Sequence, residues 1–440
     1  MLKLGEKIIS DIYLGDKKIS KVFLGDKLLY QANKPIFLDY ISFDGNSWID
    51  VDYIPSSNTR VVGKVSFTAF KGSGANYVFG VFGGGANFGL NIGSNRAILN
   101  VPWGSASAIA ISNPNNLGQV YSFDISKNGA YIDGVLKLTT SQLSATFTAT
   151  KSFFVGWSNG TGTEKLIGNI YPMQMYENDV LVKDIRPCLD PNGVVCLYDM
   201  VTKKYHYNIG TGTLTAGNVI NFVDYIESDG NCYINTNVFA DNTYTFDTTV
   251  AFVKENYNCV PWGVRSSGTY TTENSQCYLN SNTYGNSTTR EIKLYSTSVS
   301  LATNWSSGII PEIDKVYELK GMTVVPTMTT MKYPIILFGL NNIGTINTSV
   351  GVCRIYKWTA YSNGVVVKDL RPCVVAGEAG LYDMVTGNLF YNKGTGTLGY
   401  DDSTKVSITV DADNAIITLT DFITAFITVD VDNAYIGVEQ

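Results

Sequence analysis

A cassette running from Val182 to Leu214, VKDIRPCLDPNGVVCLYDMVTKKYHYNIGTGTL, returns as Val367 to Leu398, VKDLRPCVVAGEAGLYDMVTGNLFYNKGTGTL, and the spacing between the copies governs the architecture. Arg186-Pro187-Cys188 recurs as Arg371-Pro372-Cys373, 185 residues on. Leu197-Tyr198-Asp199 recurs as Leu381-Tyr382-Asp383, 184 residues on, so the loop between has lost one residue. Upstream, Asp39-Tyr40-Ile41 matches Asp224-Tyr225-Ile226 and Gly45-Asn46 matches Gly230-Asn231, again 185 apart. A repeat of this length is too long for a solenoid unit and suits a whole domain. The chain therefore divides into two copies of one domain, residues 34–217 and 222–399, with an amino-terminal element, 1–33, and a carboxyl-terminal one, 400–440.

Local pattern makes both copies all-β. Val61, Val65, Phe67 and Ala69 alternate with Val62, Lys64, Ser66 and Thr68, and Tyr121, Phe123 and Ile125 alternate with polar neighbours. Tyr244 to Phe252 alternates at the place matching the Val61 strand. Period two means one face in and one face out. Asn128-Gly129, Asp133-Gly134 and Asn363-Gly364 are hairpin turn signals. Charged residues make up only 16%, with 42 Gly and 28 Tyr, the usage of strands joined by many turns. No helical period is sustained, which predicts antiparallel sandwiches.

The two ends carry smaller repeats. LGEKIISDIY, LGDKKISKVF and LGDKLLYQ begin at Leu4, Leu14 and Leu24, a period of ten, with Gly5, Gly15 and Gly25 where the chain should reverse. So little chain cannot bury a core alone. Two readings stand: a meander packed on its own first domain, or an adaptor that joins another chain. At the other end, Ile408 to Ala415 returns as Ile427 to Ala434, each copy reading as a hairpin folded at Asp-Asn. Asp411, Asp413, Asp430 and Asp432 could supply oxygens to calcium, but neither copy has the turn Gly or closing Glu of a helix-loop-helix calcium loop.

Catalytic constellations are scarce, and the chain reads as a non-enzyme without a cofactor. His206, its one histidine, is replaced by Phe390 at the matching position, as expected of a ring that fills space. Glu312, Asp314 and Glu318 suggest a glycosidase pair, but their spacing is too long and the first copy has no acid there. The glycine-rich stretch Val81 to Leu90 opens no helix, so it reads as a rim loop and not a phosphate cradle. Seven Cys without paired spacing predict buried thiols, with Cys188 and Cys373 equivalent. A net charge of −6 gives no footing for nucleic acid, and no apolar run reaches the length of a membrane span. Within the cassette, Leu197, Tyr198 and Leu214 read as core and Gly210 and Gly212 as turn, with Arg186 facing Asp199 or a backbone carbonyl. If a sugar site exists, Trp103, in the turn-rich run Asn100-Val-Pro-Trp-Gly-Ser, is the candidate stacking platform. The alternative is an indole folded back on the sandwich.

The opening pattern DYI-x-x-DGN-x-x-I and the closing RPC…LYD-MVT…Y-N-x-GTGTL, covering about 37–217 and 222–399, resemble a concanavalin A-like, laminin-G-like domain common in phage and prophage proteins of gut bacteria. The unit IYLGDKKISKVFLGDKLLY looks like the amino-terminal element of many phage virion proteins. The resemblance implies two jelly-roll-like sandwiches on a tail fibre, head fibre or other particle surface, in contact with host-cell glycans. The family supplies no defined catalytic site. The amino terminus lacks a secretion signal, which suits a virion protein made in the host cytoplasm. Expected partners are other virion proteins through residues 1–31 and the chain itself, as a homotrimer. A decoration protein that binds no ligand is the rival reading.

Overall fold

The computed structural model describes residues 35–401 except 71–75, 84, 94–97, 113–115, 160–164, 254–258, 266–275, 281–291, 298–302, 307–310, 325–329 and 349–350, and outside that span it gives the backbone of short strands. Among the described residues there is no helix. The chain divides into two compact units, Met1–Ile12 with Leu29–Ile220, and Tyr13–Leu28 with Asn221–Gln440.

The first unit contains a sandwich whose outer sheet runs Val135–Leu138, Gly129–Ile132, Val120–Ser126, Thr59–Phe67, Met173–Glu177, Val180–Leu189, Val195–Asp199 and Lys204–His206. Its partner sheet runs Ala106–Ser112, Ile98–Gly104, Asn87–Ile92, Asn76–Val81, Phe154–Val155 and Ile49–Asp50. Alternation does what the sequence demands: Val61, Val65, Tyr121, Phe123 and Ile125 turn inward and are buried. The two sheets meet ring to ring, Phe79 lying 5.3 Å from Phe123 and 5.1 Å from Phe153. Gly63 sits opposite that cluster because a Cβ there would come within 2.8 Å of the Phe123 ring.

In the second unit, Val316–Thr323, Tyr244–Phe252, Cys353–Ser362, Val365–Val375, Glu378–Asp383 and Leu389–Tyr391 form one sheet. Ile234–Asn235, Ile336–Leu337, Trp262–Arg265, Gln276–Asn280, Lys293–Thr297 and Thr303–Ser306 form the other. Phe246, Trp262 and Trp358 hold the centre, with Phe246 and Trp262 centroids 4.8 Å apart. Registers make the copies equivalent: Arg186 opposes Tyr198 and Cys188 opposes Cys196, as Arg371 opposes Tyr382 and Cys373 opposes Gly380. Where the second copy has one long strand, Cys353–Ser362, the first has two, Ile167–Ile170 and Met173–Glu177. Pro172 falls in that gap, and without an N–H it cannot continue the ladder.

Some expectations are corrected. The glycine-rich stretch is no simple rim loop: Asn76–Val81 and Asn87–Ile92 pair as a hairpin, and only the residues between them form the turn. Gly80 and Gly89 face each other there, each leaving less than a carbon's room from the other strand's carbonyl, at 2.5 Å. At the amino terminus the chain reverses about each LG step, Lys3–Leu4 pairing Lys7–Ile8 and Ile12–Leu14 pairing Lys17–Ile19. The leading strands of the carboxyl-terminal repeat pair with each other in parallel, Ile408 with Ile427 and Val410 with Val429. In the same sheet Phe23 of Lys21–Leu24 pairs with Phe426.

Candidate functional site

The repeated cassette builds the same ionic lattice in both copies, buried in the first and partly exposed at Arg371 in the second. Asp184 and Arg186 lie two apart on one strand and so share a face. The guanidinium grips its neighbour with two bonds, Nε to Oδ1 at 3.1 Å and Nη2 to Oδ2 at 2.7 Å. Arg186 thus faces Asp184 and not Asp199. Asp199, fully buried, accepts from the Asp184 and Val201 amides and the Thr202 hydroxyl and pairs with Lys183 Nζ at 3.1 Å. Burial by itself would raise the Asp199 carboxyl, but these donors outweigh it and hold it below the usual carboxylate range. Asp383 repeats the arrangement with Lys368, Thr386 and the Asp369 and Val385 amides, and Arg371 grips Asp369. Each charge here is consumed by another, which makes this a structural girdle. Leu197 and Leu214 are core as expected, while Tyr198 is only half-buried against Tyr205, and its counterpart Tyr382 is fully buried.

His206 sits beside this girdle, 5% exposed, with Nδ1 3.0 Å from the Asp50 carbonyl. Burial, then the nearby Lys183 ammonium, push its pKa below the ordinary histidine value. Phe390 takes the same register position opposite Leu381, under the Lys368 ammonium at 4.7 Å. The ring fills space in both copies, and no nucleophile or carboxylate side chain is bonded to His206 among the described residues.

Other sequence candidates disperse. Glu312 pairs with Lys315, Asp314 with Arg354 and Glu318 with Lys320, so each carboxylate keeps its own cation. Cys188, Cys196, Cys232, Cys259, Cys353 and Cys373 are buried free thiols, and burial raises Cys373 to about 12. Cys188 and Cys196 touch across adjacent strands, Sγ to Sγ 3.5 Å. Among the described residues no cluster of His, Cys, Asp and Glu could hold a metal ion. Asp411, Asp413, Asp430 and Asp432 lie outside the described residues.

Trp103 is a correction. It belongs to the strand Ile98–Gly104, is 1% exposed, and packs edge-on against Phe147 at 5.4 Å and against Phe88 at 5.5 Å. Its Nε1 donates to the Ala145 carbonyl at 3.0 Å. The ladder slips between Val101 and Trp103, so Pro102 falls at an irregularity where its missing N–H costs nothing. A proline and a glycine that read as a loop thus belong to a strand, and the indole has no free face to stack on.

Two other indoles keep part of their surface in solvent. Trp48 and Trp157 are half-buried with centroids 5.1 Å apart at an interplanar angle of 57°, and Lys165 Nζ lies over both rings, 4.6 Å and 5.2 Å from their centroids. The motifs that open and close the domain position Trp48. Asn208 accepts the Trp48 and Gly210 amides and donates to the Gly212 carbonyl, while Asp44 accepts the Asn46 and Thr213 amides and the Ser47 hydroxyl. Gly210 lies flat on the indole, since a Cβ there would come within 2.6 Å of the Trp48 ring. Trp157 is set by a bend after Phe154–Val155. Gly156, at φ 83°, is pressed so closely on Phe43 that a Cβ would lie 2.5 Å from its ring. Its amide bonds the Val78 carbonyl at 2.7 Å. By register, Val155 corresponds to Leu337, which places Gly339 at the position of Trp157, and the opening motif places Tyr233 at that of Trp48. The paired indoles are peculiar to the first sandwich. Trp48 was within reach of the sequence, inside the opening motif, whereas Trp157 read as one more strand residue.

No family model matches this chain, and no curated protein sequence matches it. Among solved structures, it is similar to domains LG4-5 of the mouse laminin α1 chain, at 11% identity over 83% of this chain and 96% of that one, with a TM-score of 0.27. A sialidase, NanB, from Streptococcus pneumoniae is similar at 11% identity over 86% of this chain and 78% of that one, with a TM-score of 0.22. The all-β, two-sandwich fold rests on the sheet topology itself.

Proposed function

We propose that this chain is a structural protein of a bacteriophage particle whose first sandwich binds host-surface carbohydrate through Trp48 and Trp157. The observation that carries the binding reading is the pair of partly exposed indoles, held in place by glycines and motif side chains. A pyranose has an apolar C–H face and a polar rim, which suit a partly exposed indole surface with a cation on it. The second sandwich, with Tyr233 and Gly339 in those places, serves as architecture. Residence on a virion is supported by the opening and closing motifs and by the amino-terminal LGDK units, through which the chain would join other virion proteins and itself as a trimer. Assembly in the host cytoplasm goes with that reading.

A glycan array probed with the intact chain tests it. Binding is expected, and Trp157→Ala should weaken it at least about tenfold, as for a central aromatic anchor. Equal binding by Trp157→Ala and by Trp48→Ala, with both variants folded, would remove the site. No binding to any glycan by the intact chain would leave the purely architectural reading.

A further inference from the structure

We infer that the Trp48–Trp157 site takes an acidic sugar, a pyranose bearing a carboxylate, and that Lys165 selects it; this rests on the carbohydrate-binding reading above. The ammonium of Lys165 is held over two indole faces at once, 4.6 Å and 5.2 Å from their centroids, both inside the range of a cation–π contact. Ring faces attract the charge but accept none of its N–H bonds, and an ammonium carries three. Among the described residues no carboxylate pairs with Lys165. Other lysines, Lys137, Lys332 and Lys393 among them, also lack an acid among the described residues, and what distinguishes Lys165 is its place over two rings at once. The protein has placed one cation where its charge is fixed by aromatic rings and its hydrogen bonds are left for another molecule.

The two features lie together, and that juxtaposition defines the ligand. Lys165 lies over the rings, so a sugar would pack on the indole surface that the lysine leaves in solvent, from where a carboxylate on its ring carbon would reach the ammonium. A neutral sugar would use the indoles and leave the ammonium to water. A carboxylate uses both, through a charge-assisted hydrogen bond stronger than a neutral one. Among the described residues, the acids of the opening motif are engaged elsewhere. Asp44 is occupied by Asn46, Ser47 and Thr213, and Asp50 accepts from Asp52 and Ser152. The net charge of −6 means that a preference for an anion would have to come from this local cation and not from the field of the whole chain.

The test uses probes matched except for the charge of the carboxyl group: oligogalacturonate and its methyl ester, and sialyllactose and its methyl ester, titrated against the intact chain. At least one acidic probe should bind roughly tenfold more tightly than its neutral partner, with the preference falling as salt rises. Lys165→Gln should abolish the preference while leaving neutral binding, Lys165→Arg should restore it, and Trp157→Ala should weaken both. Lys332→Gln, in the second sandwich, removes the same charge and should change nothing. If the neutral probes bind as well as the acidic ones, or if Lys165→Gln keeps the preference, the selection by Lys165 is overturned while carbohydrate binding stands. If neither member of any pair binds, and the glycan array is blank as well, the binding reading falls and this inference with it.

Discussion

Arg186 reaches its carboxylate without help from another strand, because residues two apart on a strand face the same way, and Asp184 is the acid that this spacing supplies. Asp199 on the next strand is then free for Lys183, and breaking such a buried pair from one side leaves a charge stranded at a cost of about 3–5 kcal/mol. The lattice therefore explains why the Asp, Arg and Lys of the cassette recur together. His206 borders the same lattice and gives it an acid-side weakness. Its folded pKa is depressed, so the unfolded chain takes up the proton first as pH falls. Stability is complete above the ordinary value of 6.5 and declines as pH drops through 6.5 towards the folded value. His206→Phe, which installs the ring of the second copy, should flatten this slope for the first sandwich. Urea midpoints at pH 7.5 and 5 on both proteins are the check, and an unchanged slope in the variant would remove His206 as its cause.

Elements differ between the copies mainly at turns and interruptions. The hairpin after Met173–Glu177 turns on Asn178 and Asp179, at φ 49° and 63°, whereas the matching hairpin turns on Asn363 and Gly364, at φ 50° and 76°. Two positive φ angles in a row are the two-residue hairpin turn that Asn-Gly fits best. Asp179→Gly should therefore stabilise the first sandwich by roughly 0.5–1 kcal/mol, the left-handed penalty removed less the entropy that Gly adds to the unfolded chain. Thermal unfolding of the intact chain would read it, and a loss of stability would mean that Asp179 contributes an interaction worth more than its strain. These turns were legible in the sequence, because a two-residue turn is decided by the residues in it. The strand at Trp103 was not. Pro102 and Gly104 are loop signals taken alone, and only pairing with Asn87–Ile92 and Ala106–Ser112 makes them part of a ladder.

For the molecule as a whole, the cores are complete within the duplicated region. The buried apolar cluster of the first sandwich runs from Leu38 to Leu214 and that of the second from Ile226 to Leu398. Removing residues 1–31 should thus leave both sandwiches folded, with each unfolding transition within about 1 kcal/mol of the intact chain, since the clusters of described core side chains begin at Leu38. If the chain assembles on a particle as proposed, the same truncation should give a monomer in light scattering where the intact chain gives a trimer, and should stop incorporation. A truncated chain that remains trimeric would place the assembly element elsewhere. The strand pairing of Phe23 with Phe426 makes the carboxyl-terminal repeat the place to look next.

The duplication, the all-β class, the inward residues of the Val61 and Tyr121 strands and the equivalence of Cys188 with Cys373 were fixed by the chain alone. Each depends on period, spacing or identity, which are properties of neighbours in sequence. The candidate site was not. Trp48, Trp157 and Lys165 come from separate stretches, and what they can do depends on which of six Trp side chains the packing leaves at the surface. An indole favours the core and a binding face for the same reason, its large apolar area, so its sequence context cannot separate the two. Only the folding of both sheets around Phe79, Phe88 and Trp103 consumed the indole at 103 and left those at 48 and 157 partly exposed.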